Sequence, residues 1–297
     1  MKKQRKQKGK SKIRYSKLFM FIGVVIAVLF LSTMAIFHGI HYILNYFYRE
    51  ENPNPVYYLL VGTDDQFSAQ ADFVMIVSID SNSKKVTLIS IPENTKIGKD
   101  EKNNMMLKSS FSEGNWEEIQ SAVENLLHIR INQYAVFDYN TFKNLIDKIG
   151  DVQLYVERPM SHDDEKGISD IWLHRGYQSL DAEKALSYMR YIDVSDGVIG
   201  RIQREQRFIK AMIIQMQKNF SFVNWLYAKY YWEAAETNIN SSDAASIAYD
   251  LTQIPMEDIG FIILPGEMHR INKQDIWIVN PVEIQKIIGV TLGQSNE

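Results

Sequence analysis

The N-terminal 37 residues constrain most strongly where this chain can fold. Residues 1–17 contain nine Lys and Arg side chains and no Asp or Glu, and residues 18–37 carry no charge. A helix over that uncharged run is roughly 30 Å long, about the hydrocarbon thickness of a bilayer. Basic residues beside a membrane span stay in the cytoplasm. We therefore predict a single-pass protein of the cell membrane. It has a cytoplasmic tail at 1–17, one transmembrane helix at 18–37 and an extracellular C-terminal domain.

A cleaved signal peptide is the alternative interpretation of this segment. Such peptides have an apolar core of about 7–15 residues and small residues at the cleavage site. Here the apolar run is longer, and it is followed by the bulky side chains of His41, Tyr42 and Tyr46. The pattern favours an uncleaved signal-anchor, followed by a stalk at 38–55 and a globular domain at 56–297.

Charge and cysteine content exclude several classes of function. Removing the nine basic residues of the tail from 33 Lys and Arg leaves 24 against 36 Asp and Glu, a net charge of −12 for residues 18–297. General nucleic-acid binding depends on basic surfaces, so we expect no nucleic-acid partner. The sequence has no Cys, which excludes disulfides, thiolate catalysis and cysteine metal sites.

Apolar patterning predicts a mixed α/β domain. Runs rich in β-branched residues, bounded by turn-forming residues, predict strands at Val56–Gly62, Asp72–Asp80, Lys84–Pro92, Gln133–Asp138, Val152–Val156 and Ile259–Leu264. Helical spacing predicts helices at Trp116–Leu127, Asn140–Ile149, Asp181–Tyr191, Arg201–Asn219, Ser242–Gln253 and Pro281–Ile288. The second and third strands form a hairpin within this order. We therefore predict an α/β fold, a mixed sheet with helices on both faces.

Two aspartates lie at the ends of predicted strands. Asp64 follows the first strand and Asp72 opens the second. Ligand sites collect at the ends of buried strands, and two carboxylates there can hold Mg²⁺ together with substrate phosphates. The alternative is that both side chains bond the backbone at turns. The residues alone favour the turn-forming role.

Arginines concentrate in one later segment, at positions 190, 201, 204 and 207. Arg201 and Arg204 share a helix face and fall in the first turn of the predicted helix. A helix dipole disfavours cations there, so an anionic partner is the simplest account. That partner is either a set of internal carboxylates or a phosphate, and the sequence does not choose between them. His162 and the acidic residues after it are expected to form a solvated loop.

Five segments, taken in order along the chain, resemble the motifs of one protein family. YYLLVGTD resembles its first strand, and the segment from Gln70 to Thr95 resembles its "RSD…SIPRDT" hairpin. Residues 124–156 resemble its central helix–strand–helix–strand. GYQSLDAEKALSYMR followed by DGVIGRIQREQ resembles its "L-x-G-x-x-A-L-x-Y-x-R…DxxRxxRQQ" block, and Leu264-Pro265-Gly266 resembles its closing LPG.

This ordered series resembles the LytR-CpsA-Psr family of membrane-anchored cell-wall glycopolymer transferases, and the resemblance implies a function in cell-wall biogenesis. Members transfer wall teichoic acid or capsule from a polyprenyl-pyrophosphate carrier to peptidoglycan, as Mg²⁺-dependent phosphotransferases. By position, Asp64 and Asp72 match the family's metal-binding and catalytic aspartates. Arg190, Arg201 and Arg204 match its phosphate-binding arginines, the first two in catalytic roles. The implied partners are the polyprenyl-pyrophosphate-linked glycopolymer, peptidoglycan and the cytoplasmic membrane.

The chain also departs from the family pattern at charged positions. Gln70 replaces the arginine of "RSD", Glu93-Asn94 replaces the Arg-Asp of "RDT", Ile192 replaces a later arginine, and Glu205 replaces a glutamine. Removing one preorganised donor costs roughly 3–4 kcal/mol of transition-state stabilisation. The alternative hypothesis is therefore a catalytically impaired relative that binds lipid-linked glycopolymer or partners an active transferase. An older family label, transcriptional attenuator, conflicts with an extracellular domain.

Overall fold

The computed structural model describes residues 32, 34, 55–63, 70–98, 105–111, 116–163, 167, 169–219 and 236–291. Contacts divide the chain into residues 1–53 and 54–297, and every strand and helix named below belongs to the second unit. Apart from Ser32, Met34 and Pro55, the predicted tail, membrane span and stalk lie outside the described residues. Within the described residues, no helix has the length and apolar character needed to cross a bilayer.

Twelve strands and six α-helices are present in the described part of the domain. The strands are β1 Val56–Thr63, β2 Ala71–Asp80, β3 Lys85–Ser90, β4 Gln133–Phe137, β5 Val152–Val156, β6 Met160–Asp163, β7 Ser169–Leu173, β8 Gly176–Leu180, β9 Glu236–Thr237, β10 Ile259–Ile263, β11 Gly266–Ile271 and β12 Gln274–Val279. The helices are α1 Trp116–Leu127, α2 Tyr139–Ile149, α3 Ala182–Arg190, α4 Gly197–Asn219, α5 Ser241–Gln253 and α6 Pro281–Thr291. Short 3₁₀ turns occur at Leu107–Ser110 and Met256–Asp258.

Six strands form a mixed central sheet in the order β10-β3-β2-β1-β4-β9. β1 pairs antiparallel with β2 and parallel with β4, and β10 pairs parallel with β3. β2 and β3 form the predicted hairpin, joined by residues 81–84. The prediction of a mixed sheet is confirmed.

Both faces of the sheet are covered by helices, as predicted. Leu59 and Val61 of β1 belong to a core with Ile119 of α1 and Ile284 of α6. The intervening Tyr58 and Leu60 pack against a second core formed with residues of α4 and α5 such as Ile213 and Leu251. Side chains alternate along a strand, so burial on both faces requires an apolar run without polar alternation. This explains the sequence VYYLLV.

A third core lies under two small ribbons. β5 pairs antiparallel with β8, and β6 pairs antiparallel with β7. Their inward side chains, such as Leu154, pack with Ile146 of α2, Tyr188 of α3 and Phe208 of α4. Because α4 contributes Phe208 to this core and Ile213 to the sheet, one helix fixes the ribbons to the sheet.

The start of α4 differs from the prediction. The helix begins at Gly197, where the backbone N–H donates to the carbonyl of Asp193 at 2.8 Å, and Gly200 bonds back to Asp196 in the same way. Arg201 therefore lies beyond the first turn, and the prediction that it lies in the first turn is wrong. The effect of the helix dipole falls off within that turn, so it does not bear on Arg201. The predicted start at Arg201 is too late, because Gly197 and Gly200 have low helix propensity and their sequence does not indicate a helix.

Candidate functional site

Asp72 is the second residue of β2, where the pairing with β1 changes register. Gly62 stands opposite Phe73 there, and a Cβ added to Gly62 would lie 2.9 Å from the Phe73 Cβ. Only glycine fits this close approach without a shift. Asp64 lies outside the described residues, so its pairing with Asp72 stays a prediction. In the ranges that are described, no group of three or more His, Asp or Glu has a metal-binding arrangement.

Arg201 connects α4 to the strand that carries Asp72. The residue is 7% exposed, and its Nη2 donates a hydrogen bond to the Asp72 backbone oxygen at 2.9 Å. The same nitrogen forms an ion pair with Glu93, and Arg201 Nε lies 3.5 Å from Glu205 Oε1. We call Asp72, Glu93, Arg201 and Glu205 the Arg201 cluster. It surrounds one buried cation with carboxylates of the same chain.

Glu93 belongs to a turn that is fixed on both sides. Thr95 donates to the carbonyl of Pro92 from its backbone N–H at 2.9 Å and from its hydroxyl at 2.6 Å. Asn94 is 4% exposed and its amide donates to the Asp275 backbone oxygen at 2.7 Å. The Trp277 N–H donates to the Asn94 carbonyl at 3.0 Å, which ties the turn to β12. Asn94 therefore has a structural role, and Glu93 is presented by rigid backbone.

Glu205 is the second carboxylate that faces Arg201, and it is 5% exposed. Burial raises the pKa of Glu205 to about 7, although the charge of Arg201 acts in the opposite direction. Burial would lower the pKa of Arg201, but the carboxylates of Glu93 and Glu205 outweigh it and raise that pKa. Near neutral pH the cluster therefore carries no excess of positive charge.

Arg204 contacts a different set of groups. Its side chain is 1% exposed, its Nη2 donates to the Tyr191 backbone oxygen and its guanidinium lies 5.2 Å from the Tyr191 ring centroid. Arg204 Nη1 lies 3.8 Å from Glu157 Oε1, which also binds Arg207 Nη2 at 2.7 Å. The Tyr188 hydroxyl donates to Glu157 Oε2 at 3.0 Å, and burial raises the pKa of Tyr188 to about 12. Glu157 thus links two arginines and a tyrosine.

Arg190 has a third environment at the end of α3. Its Nη2 lies 3.8 Å from Asp170 Oδ2, and its guanidinium lies 5.0 Å from the centroid of the Tyr139 ring. Asp170 Oδ1 is 2.6 Å from His162 Nδ1. Burial opposes the charge of Asp170, but the hydrogen bond to His162 and the charge of Arg190 lower its pKa. His162 and Asp163 end strand β6 instead of forming the expected loop.

The structure therefore gives each of the three predicted arginines a carboxylate partner from this chain. Arg201 contacts the strand that carries Asp72, whereas Arg190 and Arg204 contact Asp170 and Glu157. Of the two alternatives for these arginines, internal carboxylates are the contacts present. Glu157 and Asp170 were not predicted, because an acid at a strand end or in a ribbon gives no signal of its partner. Ile192, at another departure from the family pattern, is 48% exposed.

The family model described as "LytR_cpsA_psr family" matches residues 39–290, and the chain belongs to this family. It is 26% identical over 240 residues to the polyisoprenyl-teichoic acid–peptidoglycan teichoic acid transferase TagV of Bacillus subtilis (strain 168), covering 76% of this chain and 61% of TagV. It is 25% identical over 245 residues to TagU of Enterococcus faecalis (strain ATCC 700802 / V583), whose name states the same activity, covering 76% of this chain and 77% of TagU. The chain thus spans less than two thirds of the length of TagV.

Solved structures show the same mixed α/β fold. The crystal structure of B. subtilis TagV matches with a TM-score of 0.69 and 22% identity, over 82% of this chain and 98% of that one. The structure described as TagT bound to LIIa-WTA matches with a TM-score of 0.65 and 20% identity, over 82% and 94% of the two chains. These likenesses confirm the fold class predicted for the globular domain.

Proposed function

We propose that this protein transfers a glycopolymer of the wall teichoic acid or capsule type from a polyprenyl-pyrophosphate carrier to peptidoglycan. It acts outside the cytoplasm, anchored by the helix predicted at residues 18–37. Family membership supports this proposal, since TagV and TagU are named as transferases of teichoic acid to peptidoglycan. The description of the TagT complex with LIIa-WTA also supports a site for lipid-linked polymer in this fold.

The observation that carries the proposal is the hydrogen bond from Arg201 Nη2 to the Asp72 backbone oxygen. It brings a buried guanidinium to the strand end that carries the Asp72 side chain. A guanidinium and a hard-oxygen metal ligand are complementary to a diphosphate. Asp72 and Asp64 would hold Mg²⁺, which supplies charge neutralisation on the transferring phosphoryl group when bound.

The reaction needs no ATP, because the donor is already activated. An acceptor hydroxyl oxygen bonds to the phosphorus next to the glycan, and the bond from that phosphorus to the bridging oxygen of the diphosphate breaks. Polyprenyl phosphate leaves with that oxygen and its electron pair, and the hydroxyl proton passes to water. Arg201 would stabilise charge that develops on the phosphoryl oxygens. To do so it must exchange its contact with Glu93 for a contact with the diphosphate.

The second candidate function is non-catalytic. The protein would bind lipid-linked glycopolymer without transferring it, or act as the partner of an active transferase. The observation that favours it is the pairing of Arg201 with Glu93 and Glu205, two positions that depart from the family pattern. Both carboxylates compete with a phosphate for one cation. A donor bound here would gain less from Arg201 than it would from an unpaired guanidinium.

The test uses the full-length protein in phospholipid vesicles with a polyprenyl-pyrophosphate-linked glycopolymer, polymer-free peptidoglycan and Mg²⁺. Transfer of labelled polymer to peptidoglycan is measured beside donor binding. Transfer that is lost on chelation of Mg²⁺ supports the transferase. Binding without transfer supports the second candidate, and absence of both contradicts both functions.

A further inference from the structure

The outer face of the β5–β8 ribbon carries an unusual set of exposed aromatic side chains. Tyr155 and Tyr177 are directly opposed in the register, and their side chains are 40% and 88% exposed. Their ring centroids are 5.0 Å apart with an interplanar angle of 68°. The inward residues of the same strands, such as Leu154, are buried in the third core. The ribbon therefore presents a tyrosine pair to solvent from a fixed base.

Neighbouring polar groups hold this pair in place. Arg175 Nε donates to the Tyr155 hydroxyl at 3.2 Å. Two register positions away, the Gln153 amide donates to Ser179 Oγ at 2.6 Å, and Ser179 donates in turn to Asp151 Oδ2 at 3.0 Å. The edge-to-face contact and the bond from Arg175 orient Tyr155, while Tyr177 stays 88% exposed. We call Gln153, Tyr155, Arg175, Tyr177 and Ser179 the ribbon face.

We propose that the ribbon face binds the glycan strand of peptidoglycan, the acceptor of the proposed transfer. A pyranose ring has an apolar face of C–H groups and a rim of hydroxyls, so it stacks on an exposed aromatic ring while amide, hydroxyl and guanidinium groups bond its rim. The ribbon face supplies both kinds of contact side by side. The inference rests on the proposed function for the identity of the partner.

The charges around the ribbon face favour a neutral sugar chain over two other surfaces. Arg175 is the charged member of the ribbon face, and the Asp151 carboxylate to which Ser179 donates has the opposite charge, so the two together carry no net charge. Anionic lipid is recognised by clusters of basic residues, and a polyphosphate chain also needs cations. A ribbon with an exposed pair of aromatic side chains matches a linear polysaccharide better than either.

The experiment measures binding of the full-length protein in detergent micelles to purified polymer-free peptidoglycan by co-sedimentation, and to chitotetraose by titration. Tyr177→Ala should weaken both by roughly fivefold, the loss expected for one aromatic contact. Tyr177→Phe should retain affinity, because it keeps the ring. Tyr249→Ala on α5, where the tyrosine is 44% exposed, is the matched control and should not change binding.

Other outcomes overturn the inference. Equal binding by wild type and Tyr177→Ala, or no binding by wild type, places the acceptor elsewhere. If Tyr177→Ala weakens binding to phosphatidylglycerol vesicles and leaves binding to peptidoglycan unchanged, the ribbon face contacts the membrane instead. A cross-strand tyrosine pair also stabilises a ribbon, so Tm is measured for each variant, and a loss of affinity that follows Tm alone contradicts the proposal. Because binding is measured without donor, it can succeed where transfer fails.

Discussion

Arg201 on α4 forms a buried ion pair with Glu93, a residue 108 positions earlier in the chain. The related transferases resemble this chain in fold, but the family pattern carries an arginine where Glu93 stands. Glu93 attracts Arg201, whereas an arginine at the same position of this chain would repel it. This ion pair stabilises the site in the absence of donor. Glu93 also occupies the contact that Arg201 would otherwise make with the diphosphate of a donor.

Glu93→Gln should raise affinity for a polyprenyl pyrophosphate and lower Tm. The variant removes the competing anion, and a charge-assisted contact regained by the donor is worth about 1.5–3 kcal/mol, or about tenfold or more in affinity. Donor titration and thermal unfolding of the same preparation measure the two effects. Glu267→Gln, whose side chain is 86% exposed, should change neither. Unchanged donor affinity in Glu93→Gln would show that Arg201 does not bind the diphosphate.

Glu205 should make stability depend on pH in a defined window. Its pKa is about 7 in the folded chain against 4.5 ordinarily, so the folded state holds the proton more tightly. This stabilisation is complete below pH 4.5 and is lost as the pH rises through 7, by at most about 3 kcal/mol. Urea unfolding of wild type and Glu205→Gln between those values tests it. The variant should give a flatter profile, and identical profiles would contradict the shift.

Arg201→Met should destabilise the domain by about 3–5 kcal/mol, because it leaves Glu93 and Glu205 buried without their cation. Adding Glu93→Gln and Glu205→Gln to the same chain should restore most of the loss. Chemical denaturation measures the full set, with Arg130→Met, at an exposed position, as control. A loss of under about 1 kcal/mol in Arg201→Met is typical of exposed pairs and would rule out a buried cluster.

Asp72→Asn should abolish transfer and the response to Mg²⁺. The backbone oxygen that Arg201 contacts is kept, while the carboxylate proposed to bind the metal becomes a neutral amide. Transfer assays over a Mg²⁺ series measure the effect, beside Asp147→Asn at an exposed position on α2. Full activity in Asp72→Asn would remove Asp72 from the metal site.

Protease added to intact protoplasts should digest the globular domain and leave the N-terminal tail protected. This follows from the basic residues at 1–17 and the uncharged run at 18–37. Epitope tags at each end allow both parts to be followed by immunoblotting. Protection of the C-terminal tag in intact protoplasts, with cleavage after lysis, would contradict the extracellular location and the proposed transfer.

Local patterns in the sequence predict most of the central domain. The hairpin of β2 and β3 and the bounds of α1 and β5 follow from alternation and helical spacing. The ribbon of β6 and β7 is not predicted, because its strands have four and five residues and most of its solvent-facing residues are polar. The hairpin of β11 and β12 is hidden for the same reason, since most of its side chains are not buried.

The candidate site is harder to predict, because its contacts join distant parts of the chain. The sequence shows that Glu93 and Glu205 are unusual for the family, yet it cannot show that both face Arg201. Arg201 and Arg204 share a helix face, and their guanidinium groups still reach different carboxylates. Those outcomes depend on where α4 crosses the sheet and the ribbons.

The bond between Asn94 and β12 has a consequence for the order in which the molecule is completed. The turn that presents Glu93 is held by the backbone of Asp275 and Trp277, near the end of the 297-residue chain. A nascent chain that ends before β12 has made every charged member of the Arg201 cluster but lacks the strand that fixes one of them. Final assembly of the site therefore requires that β12 has been synthesised, and truncations that remove β12 should be defective at a site about 180 residues upstream.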